Sequence, residues 1–461
     1  MLRNLLRALG PRPPADAPAN PDFAAAGPKG SASASVLPAT AAPAPADAPA
    51  PAGPYAAAQS AQERGDHAAA FAIFRAHIAQ SPDDVDAIAT LGGALVRQAR
   101  LDEAQGLLWP ALARFPAAAP LLYNSGALAQ ARMQVDEAIR LFRLALACEP
   151  GFAMARYMLA ILLLLKGEYG EGLLQLRARN ELNGPPSTAW PRQVPRWEGQ
   201  SLAGKRLLVW SDWGGLGDEL QFARYLTPLA SRWRPEELIF GCSDAGRRLY
   251  AALPGVDRAA VTLDSAEAVD YQAALLDLPV IFGTTLDNMP PAEPYLHAVA
   301  AEVAQWAQRL AGIGGRRIGL CWGAGFWGKA TRSDKAVPLE LLARLAALRD
   351  THFVSLQKGP ARAELPCPGL PVLDFDAHIN DFGDTAALIQ NLDLVISVDT
   401  SVAHLAGALG KPVILLLQWE SGNFWLLDRA DSPWYPSMRI VRQKVPRDWQ
   451  GVIDQLLQLL S

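Results

Sequence analysis

The stretch DLVISVDTSVAHLAGALGKPV runs from continuous apolar residues, Leu394 to Val398, into an acid, a hydroxyl and, four residues on, an imidazole: Asp399, Thr400 and His404. An uninterrupted apolar run of that length reads as a buried strand. Thr400 then suits the N-cap of a helix that Gly410 and Pro412 stop. Amides left open at a helix N-terminus, with its partial positive charge, make a seat for phosphate. His404 lies one turn beyond Thr400 on the same helical face and can add a donor there. The local pattern is equally that of an ordinary β–α unit in which Asp399 caps the helix and His404 is half-buried.

A second group precedes it in the chain. The strand-like Arg206–Asp212 is followed by WGGLG, whose Gly214, Gly215 and Gly217 let backbone come close to a ligand, and then by Asp218 at the start of DELQFARYLTPLASR. A carboxylate at a loop–helix junction can reach into a cleft and take a proton; its plainer role is to cap the helix. Lys335, in RSDKAVPLELL with Arg332 nearby, is by itself a loop charge. Three further features carry less. Asp374-Phe375-Asp376 has the D-x-D spacing of some metal-binding transferases but follows a strand and reads as a turn. Gly323-Ala324-Gly325 is a fragment of a nucleotide loop. The 13 tryptophans, Trp425 and Trp434 among them, read as core or domain packing.

Taken together these motifs resemble glycosyltransferase family nine, the bacterial heptosyltransferases. DTSVAHLAGALGKP is similar to the family's nucleotide-sugar motif D-T-G-x-x-H-x-x-A-A-L at Asp399, Thr400, His404, Ala408 and Leu409. Ser401 stands where the family has glycine, which adds a side chain close to the donor phosphates. GLGDELQFARYL resembles the family's N-terminal glycine–aspartate loop and helix, and RSDKAVPLELL its basic segment. The resemblance covers roughly Arg206 to Leu460. It implies a metal-independent, inverting transfer of sugar from a nucleoside-diphosphate sugar, a co-substrate, with no separate cofactor. Asp218 would be the general base, and Lys335 would contact the donor phosphates. The donor would lie along Gly214, Gly215, Gly217, Asp399, Thr400, Ser401 and His404, with Gln357 and Lys358, ending the strand HFVSLQK, placed for its ribose or phosphate. A charged lysine and helix amides can stabilise a leaving diphosphate without a metal ion.

Such a site has to be held by strands and helices, and their pattern is present. From Arg206 onward, short apolar runs alternate with helical segments: RLLVWSD, ELIFGCS, AAVTL and YQAALLDLP in one half, then RRIGLCW, HFVSLQK, PVLDF, DLVISVDT, PVILLLQ and MRIVRQ in the other. A helix over roughly Pro294–Leu310 links the halves, and WQGVIDQLLQLL has terminal-helix spacing. Alternating strands and helices imply parallel sheets with ligands at the carboxyl ends of the strands. The expected class is therefore α/β GT-B, two facing Rossmann-like domains over residues 184–300 and 301–461.

Ahead of them lies a different periodicity. Pro82, Pro116 and Pro150 are spaced 34 apart, as are Ala70, Ala104 and Ala138, and Phe74, Leu108 and Phe142; Gly92 and Gly126 keep the same register. Small residues at fixed positions let antiparallel helices approach, and each proline ends a pair. Residues 55–183 thus resemble an all-α solenoid of tetratricopeptide repeats, units of about 51–84, 85–118 and 119–152 with a fourth over Ala153–Asn180. Such stacks commonly hold a protein or peptide, here the acceptor. The alternatives are a lipid-linked or polysaccharide acceptor with the repeats serving localisation, and a repeat adaptor with an inactive transferase domain. Residues 1–54, rich in Ala and Pro, cannot build a core and read as a disordered tail; MLRNLLRALG is too short and broken an apolar start for a secretory signal. A net charge of −4 disfavours nucleic acid, no apolar run suits a transmembrane span, and four scattered cysteines give no metal spacing and fit a reducing, cytoplasmic setting.

Overall fold

The computed structural model describes residues 54–182, 194–211, 215–263, 267–290, 293–324, 335–420 and 422–460. The Ala/Pro tail, the linker residues 183–193, and Gly214, Gly325 and Arg332 lie outside the described residues. The chain divides into two compact units, residues 1–162 and 163–461.

The first unit is built from antiparallel helices: α1 Pro54–Glu63, α2 His67–Gln80, α3 Val85–Arg97, α4 Leu101–Arg114, α5 Ala119–Ala131, α6 Val135–Cys148 and the start of α7 Ala153–Leu165. Asp66 and Asp84 cap α2 and α3, accepting from the amides of Ala69 at 3.0 Å and Ala87 at 2.9 Å. The 34-residue register is the packing register. Ala70, Ala104 and Ala138 are fully buried, as are Leu108 and Phe142. A Cβ on Gly126 would lie 2.7 Å from Phe142 Cε1, so glycine is what lets α5 and α6 close on each other.

The second unit holds two parallel sheets. After α8 Tyr169–Leu176 and the short α9 Arg179–Leu182, the first sheet uses β1 Arg206–Trp210, β2 Glu237–Gly241, β3 Arg258–Ala260 and β4 Tyr271–Ala274 in the order β3-β2-β1-β4. Its helices are α10 Leu216–Phe222, α11 Leu226–Trp233, α12 Asp244–Tyr250 and α13 Leu278–Ile281; α14 Ala300–Arg309 leads to the second sheet. That sheet uses β5 Arg316–Cys321, β6 Thr351–Ser355, β7 Val372–Leu373, β8 Leu394–Val398, β9 Val413–Leu417 and β10 Met438–Arg442, in the order β10-β9-β8-β5-β6-β7. The helices α15 Leu339–Leu342, α16 Phe382–Gln390, α17 Ser401–Ala408 and α18 Trp449–Leu460 complete it. Both sheets step outward on one side of their first strand and then cross to its other side. The crevices between β1 and β4 and between β5 and β8 are therefore the switch points where such sheets receive ligands.

Three elements differ from expectation, two with a clear cause. DELQFARYLTPLASR is not one helix: a 3₁₀ turn over Ala223–Tyr225 separates α10 from α11. Pro228, in the first turn of α11, lacks an amide and crowds the carbonyl four residues back, at Arg224. The helix expected from Pro294 begins only at Ala300 because the amides of Tyr295 and Leu296 bond the carbonyl of Ala408, at 3.1 and 3.3 Å. PLELLARLAALR is helical only to Leu342 and continues as a 3₁₀ segment over Ala343–Ala347.

The two sheets are also tied through their helices. Arg248 on α12 bonds both carboxylate oxygens of Asp381, at 2.5 and 2.8 Å, and Asp384 at 2.8 Å, both at the start of α16, and it reaches Glu302 on α14.

Candidate functional site

Asp218, Lys335, Asp399 and His404 come together from the carboxyl ends of the switch-point strands. Asp218 sits in α10 behind β1, Lys335 in the loop behind β5, and Asp399 and His404 behind β8. Helix α10 packs its Gly217 face on α17: a Cβ added there would lie 2.8 Å from His404 Cδ2 and 3.1 Å from Nε2. Only glycine admits the imidazole at that distance, so Gly217 brings the first half of the unit onto the second.

Asp399 is the electrostatic centre. Its Oδ2 accepts from Lys335 Nζ at 2.6 Å and its Oδ1 from Trp425 Nε1 at 2.9 Å. Burial alone would raise the carboxyl; the Lys335 ammonium and the neighbouring His404 outweigh it and hold Asp399 below its ordinary value. The same carboxylate raises Lys335 against the desolvation of its ammonium, and Asp218 adds to the rise. Lys335 is thus a charged, positioned cation next to Asp218, with 30% of its side chain exposed.

His404 is nearly fully buried, and burial drives its pKa down to about 4, with Asp399 opposing and Lys335 and Arg224 reinforcing the shift. It is a neutral imidazole at pH 7. Its Nδ1 lies 3.0 Å from Tyr435 Oη, its Nε2 lies 3.9 Å from Asp399 Oδ1, and Trp425 lies against its face with ring centroids 4.9 Å apart.

The helix ends behave differently from each other. Gly215 holds the N-cap place of α10, and Asp218, its third residue, accepts the Gly215 amide on Oδ2 at 2.9 Å, a bond back to the helix start and not an N-cap. Thr400 holds the N-cap position of α17, but its hydroxyl makes no capping bond; it turns to Ser397 Oγ at 3.2 Å and Cys321 Sγ at 3.7 Å. No threonine oxygen therefore competes for the amides that begin α17 at Ser401. Cys321 is buried, its thiol pushed up to about 11 by that burial, which leaves it a packing residue.

Gln357 and Lys358 stand at the end of β6, as their spacing suggests, with their polar atoms already engaged. The Gln357 amide accepts from Trp322 and Gly323 at 3.1 and 2.7 Å and donates to the carbonyls of Gly323 and Lys358, bracing the loop behind β5. Lys358 pairs with Asp376 at 2.5 Å and donates to the carbonyl of Ile379. Arg362 pairs with Asp374 at 2.6 Å, so both acids of the D-x-D are matched by basic side chains, and Asp374 also closes a turn onto the Asp376 amide. Among the described residues no group of three or more His, Cys, Asp or Glu is arranged to hold a metal ion.

Sequence reasoning passed over Tyr435, Arg224 and Glu219 here and read Trp425 only as packing. Trp425 and Tyr435 fix Asp399 and His404. Arg224, buried, stacks on Tyr295, Trp434 and Tyr435 at 4.8, 5.1 and 5.1 Å. Glu219, beside Asp218, turns away from the cleft: its carboxylate, raised by burial, accepts from Ser243 Oγ at 2.8 Å and ties α10 to the start of α12. Only the acid pair Asp218-Glu219 left a trace in local sequence.

In chain order the fold is a set of helical repeats followed by two parallel α/β sheets of GT-B-like architecture. Residues 380–448 match the model of glycosyltransferase family 9 (heptosyltransferase), which makes this a glycosyltransferase domain, and residues 61–131 match a tetratricopeptide repeat model. Protein FlbA of Caulobacter vibrioides is 29% identical over 448 residues, spanning 82% of this chain and 73% of FlbA. Among solved structures, the glycosyl transferase family 9 protein from Veillonella parvula is 13% identical, covers 57% of this chain and 97% of its own, and superposes with a TM-score of 0.44. For E. coli ADP-heptose lps heptosyltransferase II the values are 16%, 55%, 98% and 0.41. No helix among the described residues is long and apolar enough to cross a membrane.

Proposed function

We propose that the chain is an inverting, metal-independent glycosyltransferase that moves a sugar from a nucleoside-diphosphate sugar to an acceptor hydroxyl, the acceptor being a protein held by the repeats. The observation that carries this reading is the convergence of Asp218, Lys335, Asp399 and His404 at the facing ends of α10 and α17. Asp218 takes the proton of the acceptor hydroxyl as its oxygen attacks the anomeric carbon. The bond from that carbon to the diphosphate oxygen breaks on the opposite face, which inverts the centre. Negative charge then grows on the leaving diphosphate, where Lys335, the amides opening α17 and the neutral His404 donate to it. Asp399 holds Lys335 charged and in place, and cation and helix amides supply the role a metal ion has elsewhere.

A thermal-shift panel of nucleoside diphosphates and nucleotide sugars tests the reading. A true donor present at about 100 times its Kd stabilises the fold by roughly 2.7 kcal/mol, and the shift should persist in chelator. A panel in which no nucleotide moves the melting temperature would remove the donor site, and a shift that needs added magnesium would remove the metal-free mechanism.

A further inference from the structure

We propose that Tyr435 is a positioning residue that fixes His404 in the tautomer with its proton on Nε2, turning the imidazole into a hydrogen-bond donor towards the cleft. The proposal rests on the donor reading above for its catalytic meaning, but on geometry for its content. Tyr435 Oη and His404 Nδ1 are 3.0 Å apart and both side chains are buried, so one proton lies between them. Two arrangements satisfy that bond: the phenol donates to Nδ1, or Nδ1–H donates to the phenol.

The other face of the ring decides between them. His404 Nε2 lies 3.9 Å from Asp399 Oδ1. With the proton on Nδ1, the Nε2 lone pair would face a carboxylate oxygen 3.9 Å away, a repulsion that burial strengthens. With the proton on Nε2, the N–H dipole points its positive end at that oxygen. The phenol, which the Tyr295 hydroxyl and the Arg224 guanidinium also reach, then donates to Nδ1, and it retains its proton because burial raises its pKa well above the ordinary value.

The ring of Tyr435 has little freedom to leave. A Cβ on Gly407, one turn beyond His404 on α17, would lie 2.6 Å from Tyr435 Cδ1, so the phenol is seated on the helix that carries the imidazole. The preceding residue is anchored as well. Trp434 Nε1 donates to Tyr169 Oη of α8 at 2.8 Å, and its carbonyl accepts from Arg224 Nη2 at 2.7 Å. Tyr435 is therefore a rigid support that keeps the Nε2 proton on the side of Asp399 and Gly217, where a phosphate reaching Asp399 and Lys335 would meet N–H instead of a lone pair.

The test uses the full chain with ¹⁵N-labelled histidine, its long-range ¹H–¹⁵N spectrum recorded at pH 7.5 and His404 assigned by the resonance lost in His404→Asn. The parent should show a protonated Nε2 and an unprotonated Nδ1. Tyr435→Phe should give mixed tautomers at His404 and weaken UDP or ADP binding by roughly 3–10-fold, the value of one hydrogen bond. A parent protonated on Nδ1 overturns the proposal whether or not the variant folds, and so does a Tyr435→Phe variant with the parent's signature. If neither UDP nor ADP binds the parent, the donor reading fails while the spectrum still decides the role of Tyr435.

Discussion

Gly126 in the repeats and Gly217 in the transferase do the same local thing for different ends. Each lies on a helix where a Cβ would come within 3 Å of a ring, Phe142 Cε1 at 2.7 Å and His404 Cδ2 at 2.8 Å. Behind Gly126 the ring is a fully buried hydrocarbon, and closeness serves packing. Behind Gly217 the ring carries two nitrogens, one held by Tyr435 and the other facing Asp399, and closeness assembles polar groups from two sheets. Close approach is thus a means common to both regions, and what stands on the far side of the glycine decides whether it makes a core or a site.

The sharpest break between the regions should come at Asp218. Asp218→Asn keeps an Oδ1 able to accept the Gly215 amide from the third residue of α10, but removes the proton acceptor. Turnover should fall about 10²–10⁴-fold with the melting curve unchanged. Equal turnover in Asn and parent would reduce Asp218 to the bond it makes with Gly215. Next in size, Lys335→Ala should weaken nucleoside-diphosphate binding by about 1.5–3 kcal/mol in calorimetry, the range of a charge-assisted bond; unchanged affinity would make Lys335 merely the partner of Asp399.

The glycines themselves separate packing from function. Gly126→Ala and Gly217→Ala should each cost about 1–3 kcal/mol of stability where the ring must shift. Donor binding per folded molecule should survive the first and fall in the second, because only the second displaces His404. Equal effects on binding would erase the distinction between core and site.

The smallest effect is a pH dependence peculiar to the site. A histidine with a depressed folded pKa contributes stability that is present above its unfolded value of about 6.5 and is lost as pH falls towards its folded value, here about 4, because the unfolded chain takes up the proton first. Between pH 6.5 and 5.5 the share of His404 should be about 1 kcal/mol. Asp399, held low, loses its contribution only below about pH 4. Chemical denaturation of the parent and His404→Asn should show a flatter slope for the variant across the upper window; parallel curves would contradict a buried neutral imidazole.

How far these residues were legible follows from where their partners lie. Ala70, Ala104 and Ala138 repeat in sequence because they repeat in space, so the solenoid register could be read directly. The β–α alternation likewise places Asp399 at a strand end, whereas Lys335 reads locally as a loop charge and is singled out only through the family resemblance. What local pattern could not reach were contacts set by distant chain: Tyr295 and Leu296 giving their amides to Ala408, which delays α14, and Trp425 and Tyr435 closing on Asp399 and His404. Gln357 and Lys358 lie where the pattern set them, but their polar atoms are engaged by Gly323, Asp376 and Ile379, partners no periodicity reveals. Thr400 has the N-cap place without the capping bond, because Ser397 and Cys321 offer its hydroxyl other partners.

The most direct test is an experimental structure of the chain with a bound nucleoside diphosphate. Its terminal phosphate should lie within hydrogen-bonding reach of Lys335 Nζ and of the amides that open α17, with His404 Nε2 on the same side. A second location is available for comparison, a cavity of about 870 Å³ at the β7 edge lined by Lys358 and Arg362 with their partners Asp376 and Asp374. A diphosphate seated there, with Lys335 and the start of α17 untouched, would contradict the assignment of the site.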